Sequence, residues 1–107
     1  PPPVPSGTSA TDGLFRDKVL VSWNASSNAT YYEVYRNTSN NHSGETLLSS
    51  SQTITSYNDM SVNPDQTYYY WVKACNDEGC SDYSAADSGY ADSEAIINQV
   101  YLPLIIK

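Results

Sequence analysis

The chain has 107 residues, a length that predicts a single domain. Hydrophobic residues make up 39% of it and charged residues 16%, so it is too apolar for a disordered chain. Twelve acidic residues against five basic ones give a net charge of −7, which argues against an electrostatic grip on nucleic acid or on an anionic membrane. Since no apolar run reaches the roughly 18 residues that a membrane span needs, we expect no span.

The N-terminal stretch PPPVPSGT has neither the basic start nor the apolar run of a signal peptide. Residues 1–5 are therefore interpreted as a proline-rich linker or as the start of the first strand.

The predicted elements are β-strands, because alternating apolar runs recur between turn residues about every 10–15 residues. This spacing is typical of an antiparallel sandwich or barrel. In KVLVSW, for example, Val19, Val21 and Trp23 share one face. The predicted strands in chain order are 18–23, 31–37, a short apolar stretch at 46–48, 53–59, 67–74 and a weaker last strand at 82–91.

Two cysteines, Cys75 and Cys80, lie five residues apart. The spacing differs from C-x-x-C, and the second ligand pair of a zinc site is absent, with His42 as the lone histidine. In a chain rich in Ser, Thr, Asn and Tyr, the pair predicts a disulfide formed in an oxidising compartment. The protein is therefore expected to be secreted or displayed on a cell surface.

The stretch VNPDQTYYYWVKA resembles the E–F corner and F strand of a fibronectin type III domain. Val62, Pro64 and Tyr68 have the spacing of the tyrosine corner, where a buried tyrosine bonds its hydroxyl to nearby backbone. Trp23 is similar to the buried B-strand tryptophan of that family, and YYEVYR is similar to its C strand. The leading proline segment and SAT resemble strand A.

This resemblance covers residues 3–91 and implies an immunoglobulin-like, all-β sandwich of seven antiparallel strands. A fibronectin type III domain is thus expected at 1–91, with a hydrophobic C-terminal extension at 92–107. The chain departs from the family pattern in two places. A cysteine pair spans the F–G loop, as in bacterial secreted members, and Pro-Asp replaces the usual Pro-Gly at the corner.

Alternation along the C and F strands then separates a core from an outer face. The expected core residues are Trp23, Tyr32, Val34, Val62, Pro64, Tyr68, Tyr70 and Val72. Four aromatic residues are expected on the outer face as a ladder of cross-strand neighbours: Tyr31, Tyr35, Tyr69 and Trp71. Four interpretations of this face stay open, namely cover by another part of the chain, a protein interface, a platform for sugar rings, or plain exposure.

The C-terminal stretch DSEAIINQVYLPLIIK is too apolar to remain in water without inviting aggregation. Its start is expected to form a turn or a short helix capped by Asp92 or Ser93. The remainder is expected to run extended over the sheet or onto a partner, and a dimer joined by this tail is one form that the second arrangement would take.

Other candidate chemistry is sparse. Four Asn-x-Ser/Thr sequons lie in or beside predicted loops, at Asn24, Asn28, Asn37 and Asn41. The acidic residues Asp77, Glu78 and Asp82 do not form a calcium loop, so a solvated acidic loop is expected rather than a metal site. With one histidine and no activated nucleophile, we expect neither an enzyme nor a cofactor.

The predicted function is a non-catalytic accessory, spacer or adhesion module of a secreted multidomain protein. Its partners would be other domains of the parent protein or an extracellular protein. The alternative is a carbohydrate-binding module that uses the aromatic face around Trp71 to contact a polysaccharide.

Overall fold

The structure, a computed structural model, describes residues 1–96. Eight β-strands lie in this part of the chain: β1 (Ser9–Ala10), β2 (Val19–Ser22), β3 (Tyr31–Asn37), β4 (Thr46–Gln52), β5 (Ser56–Asp59), β6 (Tyr68–Asn76), β7 (Gly79–Cys80) and β8 (Asp87–Gly89). None of the described residues forms a helix that could cross a membrane.

The strands form two antiparallel sheets. Sheet 1 has the order β1–β2–β5, and sheet 2 has the order β4–β3–β6–β7, with β8 also paired to β6. We call the end where β3 begins and β6 finishes the upper end, and the opposite end the lower end. The predicted all-β sandwich is thus confirmed.

The core lies between the two sheets, because β2, β3 and β6 alternate buried and more exposed residues. Its buried members are Ala10, Val19, Val21, Trp23, Tyr32, Val34, Tyr68, Tyr70, Val72 and Ala74. Val62 is partly buried against this cluster. Pro64, which was expected in the core, is instead exposed, because it lies at the outside of the E–F turn.

The tyrosine corner is formed by Tyr68. Its ring is buried, and its hydroxyl accepts a hydrogen bond from the backbone N–H of Asn63 at 2.8 Å. Asp65, which follows Pro64, has φ of 68°, a left-handed conformation that usually favours glycine. Aspartate is among the few other residues that adopt this conformation readily.

A buried charge joins the two sheets below the core. Asp59 has no exposed surface, and its carboxylate accepts hydrogen bonds from Arg36 Nη1 at 3.0 and 3.2 Å and from the Tyr70 hydroxyl at 2.8 Å. The backbone N–H and hydroxyl of Ser61 also donate to it, at 3.1 and 2.9 Å. Burial, together with the bond to Asp59, raises the pKa of Tyr70, so the phenol remains a donor.

The last strand is divided, which is why the structure has eight strands where seven were expected. Between β7 and β8, the backbone N–H groups of Ala74 and Val72 donate to the side-chain oxygens of Ser81 and Ser84, both at 3.0 Å. Two serine side chains therefore take the place of strand carbonyls. The predicted strand at 82–91 is consequently regular only over Asp87–Gly89. Serine carries no apolar signal, so the sequence pattern did not indicate this interruption.

Three other strands differ by more than one residue from the predicted bounds. Strand β4 runs to Gln52 rather than ending after the apolar pair, because it pairs along most of β3. Strand β5 begins at Ser56, three residues later than expected. Strand β6 extends to Asn76, since Cys75 and Asn76 pair with β7.

Candidate functional site

The outer face of sheet 2 is built by the residues of β3 and β6 that alternate with the core. In register, Tyr31 lies opposite Cys75, Glu33 opposite Lys73, Tyr35 opposite Trp71 and Asn37 opposite Tyr69. Only one aromatic pair is therefore directly opposed, and the charged pair separates Tyr31 from the others. The expected aromatic ladder is interrupted at its centre by Glu33 and Lys73.

Trp71 points away from the core but is only 4% exposed. The loop between β3 and β4 folds back over it, and the His42 ring lies 4.5 Å from the Trp71 ring, centroid to centroid. The loop is held in this shape by Asn37, whose side-chain amide donates to the carbonyls of Asn41 and Ser43 at 2.7 and 2.9 Å. The ring expected at the middle of an open face is thus covered by the chain itself.

His42 also stacks on Tyr83, with the two rings 3.7 Å apart and inclined by 18°. Tyr83 in turn meets Tyr35 edge to face, with 5.2 Å between the ring centroids. The Lys73 ammonium lies 4.3 Å from the Tyr83 centroid and 5.5 Å from that of Tyr35, within the range of cation–π attraction. We call these residues, together with Trp71 and Glu45, the outer cluster.

Glu45 connects the loop to the sheet. One carboxylate oxygen lies 2.9 Å from His42 Nδ1, and the other accepts a short hydrogen bond from the Tyr83 hydroxyl. That bond, with burial as the second cause, raises the pKa of Tyr83 to about 12. Both side chains are therefore engaged within the chain, with the phenol as donor and the carboxylate as acceptor.

Glu33 is engaged in the same way at the centre of the face. The Tyr35 hydroxyl donates to it at 2.6 Å, and burial followed by this bond raises the pKa of Tyr35. The Glu33 carboxylate also lies within 4.8 Å of the sulfurs of Cys75 and Cys80. These two sulfurs are joined in a disulfide, as predicted, so they offer no thiolates to a metal ion.

An open polar cleft of about 480 Å³ lies at the upper end of the sandwich. It separates the loop before β3 from the β6–β7 turn, and its lining residues are Asn28, Ala29, Thr30, Asn76, Asp77 and Glu78. The acidic side chains at its rim are exposed, and the Asn76 amide spans it to the Asn28 carbonyl at 3.2 Å. No nucleophile and base meet in the cleft or in the outer cluster.

The expected site residues are therefore distributed along the face rather than gathered in one patch. Tyr31, Tyr35 and Tyr69 are half-buried, and Trp71 is buried. Sequence reasoning missed His42, Glu45 and Tyr83, which come from a loop and from the irregular part of the last strand. The one available signal was an aromatic residue, Tyr83, at an outward position of the last strand. The backbone beside it is held by serine side chains and is irregular, so the strand alternation that would reveal this position is hidden.

The sequence profile of the fibronectin type III domain matches residues 3–88. A solved Fn3-like protein from Clostridium thermocellum is similar at 29% identity and a TM-score of 0.76, covering 84% of this chain and 93% of that one.

Two further solved structures share the fold at lower identity. The FN3tt structure aligns at 21% identity and a TM-score of 0.70, covering 86% of this chain and 96% of that one. Titin domains A168–A170 align at 21% identity and a TM-score of 0.71, covering 85% of this chain and 32% of theirs. A search of curated protein sequences found no match.

Proposed function

Because the chain belongs to the fibronectin type III family, we propose that it acts as a rigid, non-catalytic spacer in a secreted multidomain protein. Domains of this family are generally modules that space other domains or contact proteins. The fold alone does not choose between these roles. The observation that supports the spacer role is that both ends of the described chain are fastened to opposite ends of the sandwich.

The N-terminal segment is fastened at the upper end. The Ser26 hydroxyl donates to the Pro3 carbonyl at 2.6 Å, and the backbone N–H of Asn24 donates to the Ser6 carbonyl at 2.9 Å. Pro2 and Pro5 are buried, and proline already has a restricted backbone. A part of the protein placed before this segment would therefore be held in a narrow range of directions.

The C-terminal side is fastened at the lower end. The Asp65 carboxylate accepts hydrogen bonds from the backbone N–H of Ser93 at 3.1 Å and from its hydroxyl at 2.7 Å. Arg16 Nε donates to the Ala95 carbonyl at 2.7 Å. We call these contacts the exit clamp. They hold the last described residues at a fixed point of the lower end.

Two further features support this proposal. The Cys75–Cys80 disulfide fits a protein that folds in an oxidising compartment, which is why we place it outside the cell. The covered position of Trp71 weighs against the carbohydrate alternative, because sugar stacking needs an accessible ring face. The contacts we propose are accordingly with other domains or with extracellular proteins.

The test measures the distance between the two fastened ends. Nitroxide labels carried by unnatural amino acids at positions 1 and 94 leave the disulfide intact, and pulsed electron resonance gives their distance distribution. We expect a single narrow distribution in the full chain. The paired substitutions Ser26→Ala and Asp65→Gly should broaden it, since each removes a fastening bond while glycine tolerates the backbone at 65.

Ser27→Ala is the matched control, because Ser27 is exposed and lies beside Ser26. It should leave the distribution unchanged. A broad distribution in the unsubstituted chain, like that of a flexible linker, would rule out the spacer role.

A further inference from the structure

The disulfide between Cys75 and Cys80 lies at the upper end of sheet 2, where β6 pairs with β7. Cys75 has no exposed surface, whereas Cys80 is half-buried. Tyr31 lies opposite Cys75 on the neighbouring β3. A reagent in solvent therefore reaches the bond from the Cys80 side, and the sulfur of Cys75 lies inside the protein.

A carboxylate lies beside both sulfurs. One oxygen of Glu33 and the sulfurs of Cys75 and Cys80 all lie within 4.8 Å of one another. The Tyr35 hydroxyl donates to Glu33 at 2.6 Å and so holds the carboxylate in place. Since Glu33 is itself half-buried, water screens its charge less than that of an acid on the open surface.

The basic residue opposite Glu33 is engaged elsewhere. Lys73 lies opposite Glu33 in register, but its ammonium lies over the two tyrosine rings of the outer cluster. Among residues 1–96, no ion pair joins Lys73 to Glu33. The disulfide thus lies beside a negative charge that is fixed by a hydrogen bond rather than neutralised by an ion pair.

Reduction of a disulfide by a dithiol proceeds in two exchanges. In the first, one thiolate of the reagent attacks the accessible sulfur, forms a bond to Cys80 Sγ and breaks the bond between Cys75 and Cys80. The electron pair of the broken bond leaves on Cys75 Sγ as a thiolate, which then takes a proton from water. In the second exchange, the other thiolate of the reagent attacks its own bonded sulfur. Cys80 is then released as a thiolate, and the reagent leaves as a cyclic disulfide.

Glu33 opposes the first exchange in two ways. The attacking thiolate is an anion that must approach the carboxylate, and like charges repel. The leaving thiolate of Cys75 would be a second anion beside it, in a buried place that itself disfavours charge.

We propose that the Glu33 carboxylate protects the Cys75–Cys80 disulfide from reduction by thiols. The β6–β7 turn would then stay closed in surroundings that contain thiols. This inference does not depend on the spacer role, because it concerns the lifetime of one bond and not what the domain holds apart.

The rate of reduction by dithiothreitol at one fixed pH tests the proposal. Alkylation followed by mass spectrometry gives the fraction of chains whose two cysteines have been freed. Glu33→Gln keeps an acceptor for the Tyr35 hydroxyl and removes the charge, so it should speed reduction by about tenfold. Glu78→Gln is the matched control. Its carboxylate lies in the turn that the same disulfide closes but is 82% exposed, so the rate should change by less than about twofold.

Loosening of the local structure would also speed reduction, and two measurements separate it from the effect of charge. Tyr35→Phe removes the hydrogen bond but keeps the carboxylate, so its rate should stay within about twofold of the native rate. Monothiols of different charge give the second readout: cationic cysteamine, neutral mercaptoethanol and anionic mercaptoethanesulfonate. Each rate is divided by the rate of the same thiol on a small uncharged disulfide. The native chain should favour the cationic thiol, and Glu33→Gln should narrow the difference between the thiols.

Any of three results would overturn the proposal. The first is an equal rate of reduction in the native chain and in Glu33→Gln. The second is an acceleration in Glu33→Gln that is the same for all three monothiols, and the third is an equally large acceleration in Tyr35→Phe. The last two would assign the effect to loosening of the sheet rather than to charge.

Discussion

At the level of single residues, Asp59 and Arg36 show how this domain handles charge in its interior. Each lies at an inward position of its strand, on different sheets, and the carboxylate receives five hydrogen bonds in total from Arg36, Tyr70 and Ser61. A buried carboxylate is stable only when its acceptor sites are filled and its charge is opposed. In the sequence, these are two opposite charges at inward positions of the strand alternation. Recognising that they pair with each other requires the register of both sheets.

Asp59→Ala should lower the free energy of unfolding by about 3–5 kcal/mol, because it leaves Arg36 without its partner in a largely buried site. Tyr70→Phe removes one bond to the charged group and should cost about 1.5–3 kcal/mol. Urea unfolding at neutral pH measures both. The exposed Asp82 provides the comparison, since Asp82→Ala should change stability by less than about 0.5 kcal/mol. An Asp59→Ala effect no larger than that would contradict the role assigned to this network.

At the level of elements, the loop from residue 38 to residue 45 determines what the outer face can do. In the sequence this loop consists of polar residues between two strands, which is typical of a solvated connection. Nothing in its own composition indicates that it folds back, because the attraction comes from Trp71 and Tyr83, which are distant in sequence. Long-range contact of this kind is the part of the site that a single sequence does not reveal.

His42→Ala should expose Trp71 to solvent, because it removes the ring that lies over it. Iodide quenching of tryptophan fluorescence measures this, and the quenching constant should rise in the variant. Trp23 is also only 4% exposed, so the rise should disappear when Trp71→Phe is added. Ser39→Ala, in the same loop, should leave quenching as it was. Free quenching of Trp71 in the unsubstituted chain would contradict the covering role of the loop.

Strands β3 and β6 were the most predictable elements, because they have a long alternating pattern that the last strand lacks. Their apolar residues alternate over a long run, and both sides of the alternation are large side chains. The last strand has small residues, and its ladder is completed by Ser81 and Ser84 rather than by backbone alone. A pattern of hydrophobicity cannot record a hydrogen bond that a side chain supplies.

At the level of the whole molecule, the exit clamp couples the end of the domain to pH. The hydrogen bonds from Ser93 lower the pKa of Asp65. A carboxyl with a lower pKa in the folded state than in the unfolded state stabilises the fold above the unfolded value, near about 3.9. That contribution is lost as the pH falls through the lower folded value.

Asp65→Asn keeps a residue that accepts the left-handed backbone and removes the titrating group. The native chain should unfold at a higher temperature than this variant at about pH 6, and the difference should vanish near about pH 2. Scanning calorimetry across this range gives the profile. Asp77→Asn, at the exposed tip of the β6–β7 turn, is the control and should show no such convergence. A native-to-variant difference that is the same at every pH would contradict the clamp.

The divided last strand has a consequence for how copies of this molecule can associate. On that side of sheet 2, β7 and β8 have two and three residues, and the backbone between them is held to β6 by serine side chains. An incoming strand finds no regular row of donors and acceptors there, whereas β4 on the other side offers seven residues. Growth of a fibre requires two extendable faces per subunit, and among residues 1–96 sheet 2 offers one. Strand addition through this sheet would therefore terminate at a pair and could not propagate into a filament.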